Sequence, residues 1–303
     1  MTDAKYTRQT VTAVDTWVAD KLFSLRTTRD AGYVYQAGQF ARLGLPALDD
    51  PEGPPTLWRA YSMVTAPGDE GLEFYSIVVP DGEFSPRLAA LQAGDAIYID
   101  KTPFGFLTLD RFEPEGDLWL LATGTGLSAY MSLLRDPETW RRYRRIVLVH
   151  GVRHLEELAY ADTIRGWRDA PVAPYAHEAG AAAYAHGHTQ SQAQGQANET
   201  SASTAVAAPA VAAGLKTESA RLVYLPIATR EPSGDLPQAR LTTLIEDGRL
   251  ETLAGLPLDP ARAKIMLCGN PEMLSAARKL LAERGFAPGR RGIPGNLAVE
   301  NYW

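Results

Sequence analysis

Leu118-Trp119-Leu120-Leu121-Ala122-Thr123-Gly124-Thr125-Gly126-Leu127-Ser128-Ala129 is the stretch whose reading decides the fold. Residues 118–123 form an apolar strand, small residues follow, and 127–135 has helical apolar spacing. A strand that turns on glycines straight into a helix can aim backbone N–H groups at a phosphate. The turn matches G-x-G-x-x-G/A with Ala129 in the last place. The acidic residue usual about twenty positions further on is missing; Arg153 stands just past the next strand instead. That departure disfavours an ordinary NAD fingerprint and is compatible with a cofactor bearing an extra phosphate.

Downstream the same rhythm continues. Residues 145–151 read as a strand buried on both faces. Residues 154–168 read as an amphipathic helix with Leu155, Leu158, Ile164 and Trp167 inward. Strands at 221–229 and 264–267 and helices at 241–246 and 271–284 complete the series, which argues for a parallel sheet. Residues 178–217, dominated by Ala, Gly, Gln, Ser and Thr, carry too few branched apolar side chains to offset the entropy of ordering and read as a low-complexity surface insertion. His186-Gly187-His188 within it reads as solvated loop rather than a metal site.

Upstream the pattern is β. Residues 10–17, 39–43, 59–64, 72–79 and 96–100 are short, rich in β-branched or aromatic side chains, and separated by turn signals such as Pro67-Gly68-Asp69 and Ala93-Gly94-Asp95. Strands at this spacing predict a small antiparallel barrel. A helix is expected over 85–92, capped by Ser85 with Pro86 in its first turn. The expected architecture is therefore two domains: an antiparallel β-barrel over 1–112, then an α/β parallel-sheet domain over 113–303.

With 303 residues, two cores are the default. A net charge of −6 argues against nucleic acid as the main partner. The single cysteine, Cys268, excludes an intrachain disulfide and an iron–sulfur cluster of the usual thiolate type. Residues 1–10 lack the apolar core of a secretory signal, and no apolar run reaches the length of a membrane span. A cytoplasmic protein, expected monomeric, is the reading.

Candidate site residues gather in four places. Arg59-Ala60-Tyr61-Ser62 offers a guanidinium fork suited to a pyrophosphate, a ring suited to stacking on a flavin, and a hydroxyl able to reach the flavin edge. The same four residues equally suit an edge strand with no ligand. Arg230 and Arg240 can face a 2′-phosphate, or can be ordinary solvated arginines. Cys268-Gly269-Asn270-Pro271 ends the last strand at the sheet edge where open α/β sheets bind ligands, although a cysteine in such a place is often simply packed.

Taken in order, these blocks resemble the bacterial ferredoxin (flavodoxin)–NADP⁺ reductases over nearly the whole chain. The resemblance rests on Arg59 to Ser62, Leu72-Glu73-Phe74-Tyr75, residues 79–85, Ala122 to Gly126, Val149-His150-Gly151-Val152-Arg153, Thr229-Arg230-Glu231, Cys268 to Pro271 and the ending Glu300-Asn301-Tyr302-Trp303. It implies FAD in the barrel domain and NADP(H) in the second. It implies that Arg59, Ala60, Tyr61, Ser62, Tyr75, Glu83, Phe84, Ser85 and Thr125 surround FAD, with Tyr302 over the flavin and Trp303 over the adenine. Arg153, Thr229, Arg230, Arg240, Gly269 and Asn270 would hold NADP. Ser62, Cys268 and Tyr302 would border the reacting rings. Ferredoxin or flavodoxin would be the partner. Its docking surface is sought at Arg141, Arg142, Arg144 and Arg145 or at Arg290 and Arg291. Competing readings are a reductase of the same fold that uses NAD(P)H to serve an oxygenase or free flavin, and a non-catalytic flavin-binding redox sensor.

Overall fold

The structure, a computed structural model, describes residues 5–169, 220–232, 234–290 and 293–301. The insertion at 178–217 and the terminal pair Tyr302 and Trp303 lie outside the described residues.

The N-terminal part is a six-stranded antiparallel sheet built from β1 (Tyr6–Val18), β2 (Leu22–Thr27), β3 (Phe40–Pro46), β4 (Pro55–Ser62), β5 (Leu72–Ile77) and β6 (Ala96–Asp100), in the order β4-β3-β6-β1-β2-β5. β1 pairs β6 along Tyr6 to Thr10 and β2 beyond Val11, with register shifts that let it bend from one partner to the other. The sheet's edges then meet where Met63 bridges Phe74 and Val64 N–H donates to Glu73 O at 2.8 Å. Closure leaves no long open edge, and the strand-based expectation of a barrel holds. Val11, Leu25, Leu43, Phe74 and Ile97 fill it, and Leu88 from α1 (Ser85–Ala89) packs into the same core.

Two local expectations fail here. β2 was not among the strands expected, because four consecutive buried residues, Leu22 to Leu25, hide the alternation of a half-exposed strand. The helix is shorter than 85–92, and Ser85 does not cap it: its Oγ accepts the Val79 N–H at 2.9 Å and ties down the preceding loop.

The C-terminal part is a five-stranded parallel sheet in the order β11-β10-β7-β8-β9. Its strands are β7 (Asp117–Thr123), β8 (Arg145–Val152), β9 (Arg221–Ala228), β10 (Ala263–Cys268) and β11 (Leu297–Glu300). Successive side chains feed two cores. Leu118, Leu120, Ile146, Leu148 and Met266 face α2 (Leu127–Arg135) and α4 (Ala161–Asp169). Trp119, Leu121, Val147, Val149 and Ile265 face α5 (Leu241–Glu246), α6 (Arg249–Ala254) and α7 (Pro271–Glu283). Burial on both faces is why these strands show no polar alternation. A short α3 (Pro137–Arg142), which the sequence reading left out along with α6 and β11, is capped by Asp136 accepting from Glu138 N–H.

The expected helix over 154–168 is broken. A 3₁₀ turn, Leu155–Glu157, is followed by Tyr160 at φ 60°, and only then does α4 begin. Leu155 is exposed rather than inward. The break lets the Tyr160 ring sit 4.7 Å from Trp17 and its hydroxyl donate to Glu73 Oε1 at 2.7 Å.

Those contacts join the two parts. Glu73 also meets Arg135 at 3.3 Å, and Lys21 meets Glu157 at 2.5 Å. α2 is buried along most of its length between sheet and barrel, and Ser132 Oγ donates to Thr65 O at 2.6 Å, so its buried hydroxyl is satisfied.

Candidate active site

The chain order of the parallel sheet reverses between β7 and β10, and the carboxyl ends of these two strands frame the crevice where such sheets take ligands. Their turns interlock. Gly126 lies so close to β10 that a Cβ there would sit 2.5 Å from the Cys268 carbonyl oxygen. Gly269, at φ +133°, lies against Thr123, whose Oγ1 accepts the Asn270 N–H at 2.9 Å. Two of the turn glycines therefore serve backbone packing. Gly124 differs: at φ +53° it has nothing within 4 Å of the place a Cβ would take. The turn is thus rigid behind and open in front, a cradle suited to a phosphate.

Beside it the β8–β9 ladder runs on past both strands. Thr229 N–H donates to Val152 O and Arg230 N–H to Arg153 O, each at 3.0 Å. The second bond brings the backbones of Arg153 and Arg230, far apart in sequence, together just past the strand ends. Both guanidinium groups are exposed and neither forms an ion pair among the described residues. Gln238 Nε2 donates to Thr229 O at 3.3 Å and brings the loop leading to Arg240, also exposed, to the same corner. Glu157 accepts the Arg153 N–H while Glu231 accepts the Leu155 N–H, so the loop carrying Arg153 is held from two sides.

On the barrel, Arg59 is exposed, and its Nη1 donates only to the neighbouring Trp58 carbonyl among the described residues. Tyr61 is half-buried and stacks on Phe84 with ring centroids 5.8 Å apart, which joins the Arg59–Ser62 strand to the loop of Glu83, Phe84 and Ser85. Ala60 is half-buried, Ser62 is buried beside the barrel seam, and Glu83 is exposed. Tyr75 is buried, edge-on to Tyr160, with its hydroxyl 3.4 Å from Glu157 O. An exposed guanidinium with no ion pair among the described residues, a half-covered ring and an open glycine turn fit a dinucleotide on each part of the molecule.

No family model matches the chain. It is 37% identical over 296 residues to ferredoxin–NADP reductase A of Sorangium cellulosum, covering 97% of this chain and 89% of that one. It is 36% identical over 284 residues to the ferredoxin–NADP reductase of Pseudomonas aeruginosa, covering 93% and 92%. The chain belongs to the ferredoxin–NADP reductase family. Among solved structures, a ferredoxin NADP⁺ reductase from Neisseria gonorrhoeae with bound FAD and NADP superposes with a TM-score of 0.78 at 27% identity, covering 99% of this chain and all of that one.

Three groups in this family member escaped the sequence reading or behave unlike it. Glu300, buried at the end of β11, stands opposite Cys268 and accepts the Phe106 N–H at 2.9 Å. The one signal for it is a carboxylate closing an apolar strand next to the terminal aromatics. Cys268 does lie at the sheet's carboxyl edge, but its side chain is wholly buried. Burial, reinforced by the Glu300 carboxylate, pushes the thiol well above its usual range. The native protein is therefore expected to resist iodoacetamide at pH 8 and to take one label per chain once unfolded. Rapid labelling of the folded protein would refute this placement.

His150, the third, is buried in β8, and its Nε2 lies 3.0 Å from Gly124 O. Burial lowers its pKa from 6.5 to about 4, against weaker opposing effects of the Gly124 carbonyl and the Glu157 charge. The folded value lies below the unfolded one, so the neutral ring's contribution is complete above pH 6.5 and is lost as the pH falls towards 4. That loss is about 3 kcal/mol. Denaturant titrations of wild type and His150→Gln over this range check it: the variant's stability is expected to fall less steeply, and parallel curves would contradict the assignment.

Proposed function

We propose that the chain exchanges electrons between NADP(H) and a one-electron carrier protein, ferredoxin or flavodoxin, using FAD. Residues 1–112 hold FAD in this reading and residues 113–303 hold NADP(H). The observation that carries it is that Arg153 and Arg230, both exposed, are brought together by a backbone bond at the carboxyl ends of β8 and β9, on the sheet edge that carries the open glycine turn. Such a pair matches a 2′-phosphate and has no use for plain NAD. When both groups are bound, the chemistry they supply is hydride transfer to flavin N5 and release of single electrons to the carrier.

The chain's own residues align and shield. Arg59 takes the FAD pyrophosphate; Ala60, Tyr61, Ser62 and Tyr75 flank the flavin; Glu83, Phe84 and Ser85 border its phosphates. Thr125 approaches from the facing turn, Thr229, Arg240, Gly269 and Asn270 complete the NADP side, and Cys268 lies behind the reacting rings. Tyr302 and Trp303 are assigned to the flavin face and the adenine on the family resemblance alone.

For the carrier, the run at 141–145 is mostly committed to structure. Arg145 forms a bidentate pair with Asp117 at 2.6 and 2.7 Å, Arg142 donates to Phe112 O, and Arg141 pairs with Glu138. Arg290 instead borders an open cleft of about 750 Å³ with Arg111, Arg278 and the exposed Phe106 and Ile293. Three arginines against Asp110 and Glu113, with two apolar anchors, suit an acidic partner. The cytoplasm and a monomeric state complete the proposal; among the described residues no helix is long and apolar enough to cross a membrane.

The decisive experiment is an absorbance spectrum of the purified protein followed by anaerobic nucleotide. A flavin band that NADPH bleaches much faster than NADH is expected. A colourless protein, or a flavin that stays oxidised under excess NADPH, would remove the assignment.

A further inference from the structure

His150 is a buried titratable group to which the proposed function gives no task. It interrupts the apolar run of β8, directly opposite Ala122 of β7. The Gly124 carbonyl can only accept, so the proton on Nε2 is the one shared with it, and Nδ1 is the bare nitrogen. Nδ1 is buried with no hydrogen-bond partner. An imidazole placed among apolar side chains with one nitrogen unsatisfied is unfavourable, and its bond to Gly124 is the single compensating hydrogen bond of the ring among the described residues.

That bond completes the Gly124 carbonyl, which also accepts the Leu127 N–H of the 3₁₀ turn. In a trans peptide the C=O and the following N–H point in opposite directions. Holding Gly124 O inward against β8 therefore turns the Thr125 N–H outward, away from the sheet. β10 grips the same turn from the other side through Thr123, Gly126 and Gly269. His150 is the side chain that grips it from β8.

We propose that His150 is the positioning residue of the coenzyme turn, fixing the Gly124–Thr125 peptide so that its N–H meets the pyrophosphate of NADP(H). It sets nucleotide affinity, while the rate of hydride transfer is left to the residues around the rings. This rests on the function proposed above. A ring that stays neutral down to about pH 4 holds the turn in the same way throughout the working range.

The test uses the FAD-loaded protein with His150→Phe and His150→Gln. In His150→Phe, KM for NADPH and Kd for NADP⁺ are expected to rise roughly tenfold while the limiting rate of flavin reduction stays within about twofold. His150→Gln, whose amide N–H can reach the same carbonyl, is expected to recover most of the affinity. Unchanged affinity in His150→Phe, or a slower reduction step at unchanged affinity, overturns the proposal. Should His150→Phe fail to fold, nitrogen-15 spectra of the wild-type ring decide. An Nε2–H tautomer whose resonance shifts on NADP⁺ saturation supports the role; an Nδ1–H tautomer, or a ring indifferent to NADP⁺, refutes it. A wild type whose flavin NADPH does not bleach would instead sink the parent reading.

Discussion

Replacing Arg153 and Arg230 together by alanine is expected to lower kcat/KM for NADPH about a thousandfold, with NADH changed by less than about threefold. Two charge-assisted contacts to one phosphate, each worth about 2 kcal/mol, give this magnitude. Both side chains are exposed, so truncation leaves no buried charge behind. The backbone bond from Arg230 N–H to Arg153 O does not depend on either side chain, so the ladder stays in place. The selectivity is the informative quantity. If both nucleotides suffer equally, the arginines support the fold rather than the 2′-phosphate; if neither suffers, the phosphate binds elsewhere.

Gly269→Ala should destabilise the fold by about 3 kcal/mol or more. At φ +133° the residue occupies backbone space that side chains rarely enter. The new Cβ would stand 2.2 Å from Thr123 Oγ1, 2.6 Å from Thr123 O and 2.9 Å from Thr123 N, and two of those three atoms are backbone. Relief requires parting the β7 and β10 turns, so weaker NADP⁺ binding should accompany the lower melting temperature. Gly124→Ala is the control. Its φ of +53° is tolerated by other residues at about 1 kcal/mol, and nothing stands in the way of its Cβ. Equal melting temperatures for the two variants would show that the turns are not interlocked as described.

Much of this was legible in the chain because the signals are local. The helices Leu127–Arg135 and Leu241–Glu246 have the boundaries expected of them, since each begins right after a turn and carries its own apolar spacing. β2 was not legible, because a strand buried on both sides loses its alternation and takes its identity from lying between β1 and β5. The helix expected over 154–168 is broken at a point equally non-local: Tyr160, at φ 60°, meets Trp17 and Glu73 across the domain junction. Of the arginine run at 141–145, sequence shows charge but not that Asp117 has claimed Arg145.

Strand–turn–helix rhythm was enough to expect a β-barrel followed by a parallel-sheet domain, and the order of the motifs carried the resemblance that implied the family and its two nucleotides. Which of those residues meet is a matter of strand order. The backbones of Arg153 and Arg230 meet, Cys268 faces Glu300, and His150 holds Gly124 because β8 lies between β7 and β9 and β10 between β7 and β11. Backbone preferences act over a few residues, whereas these pairings join segments brought together only when both faces of the sheet are buried.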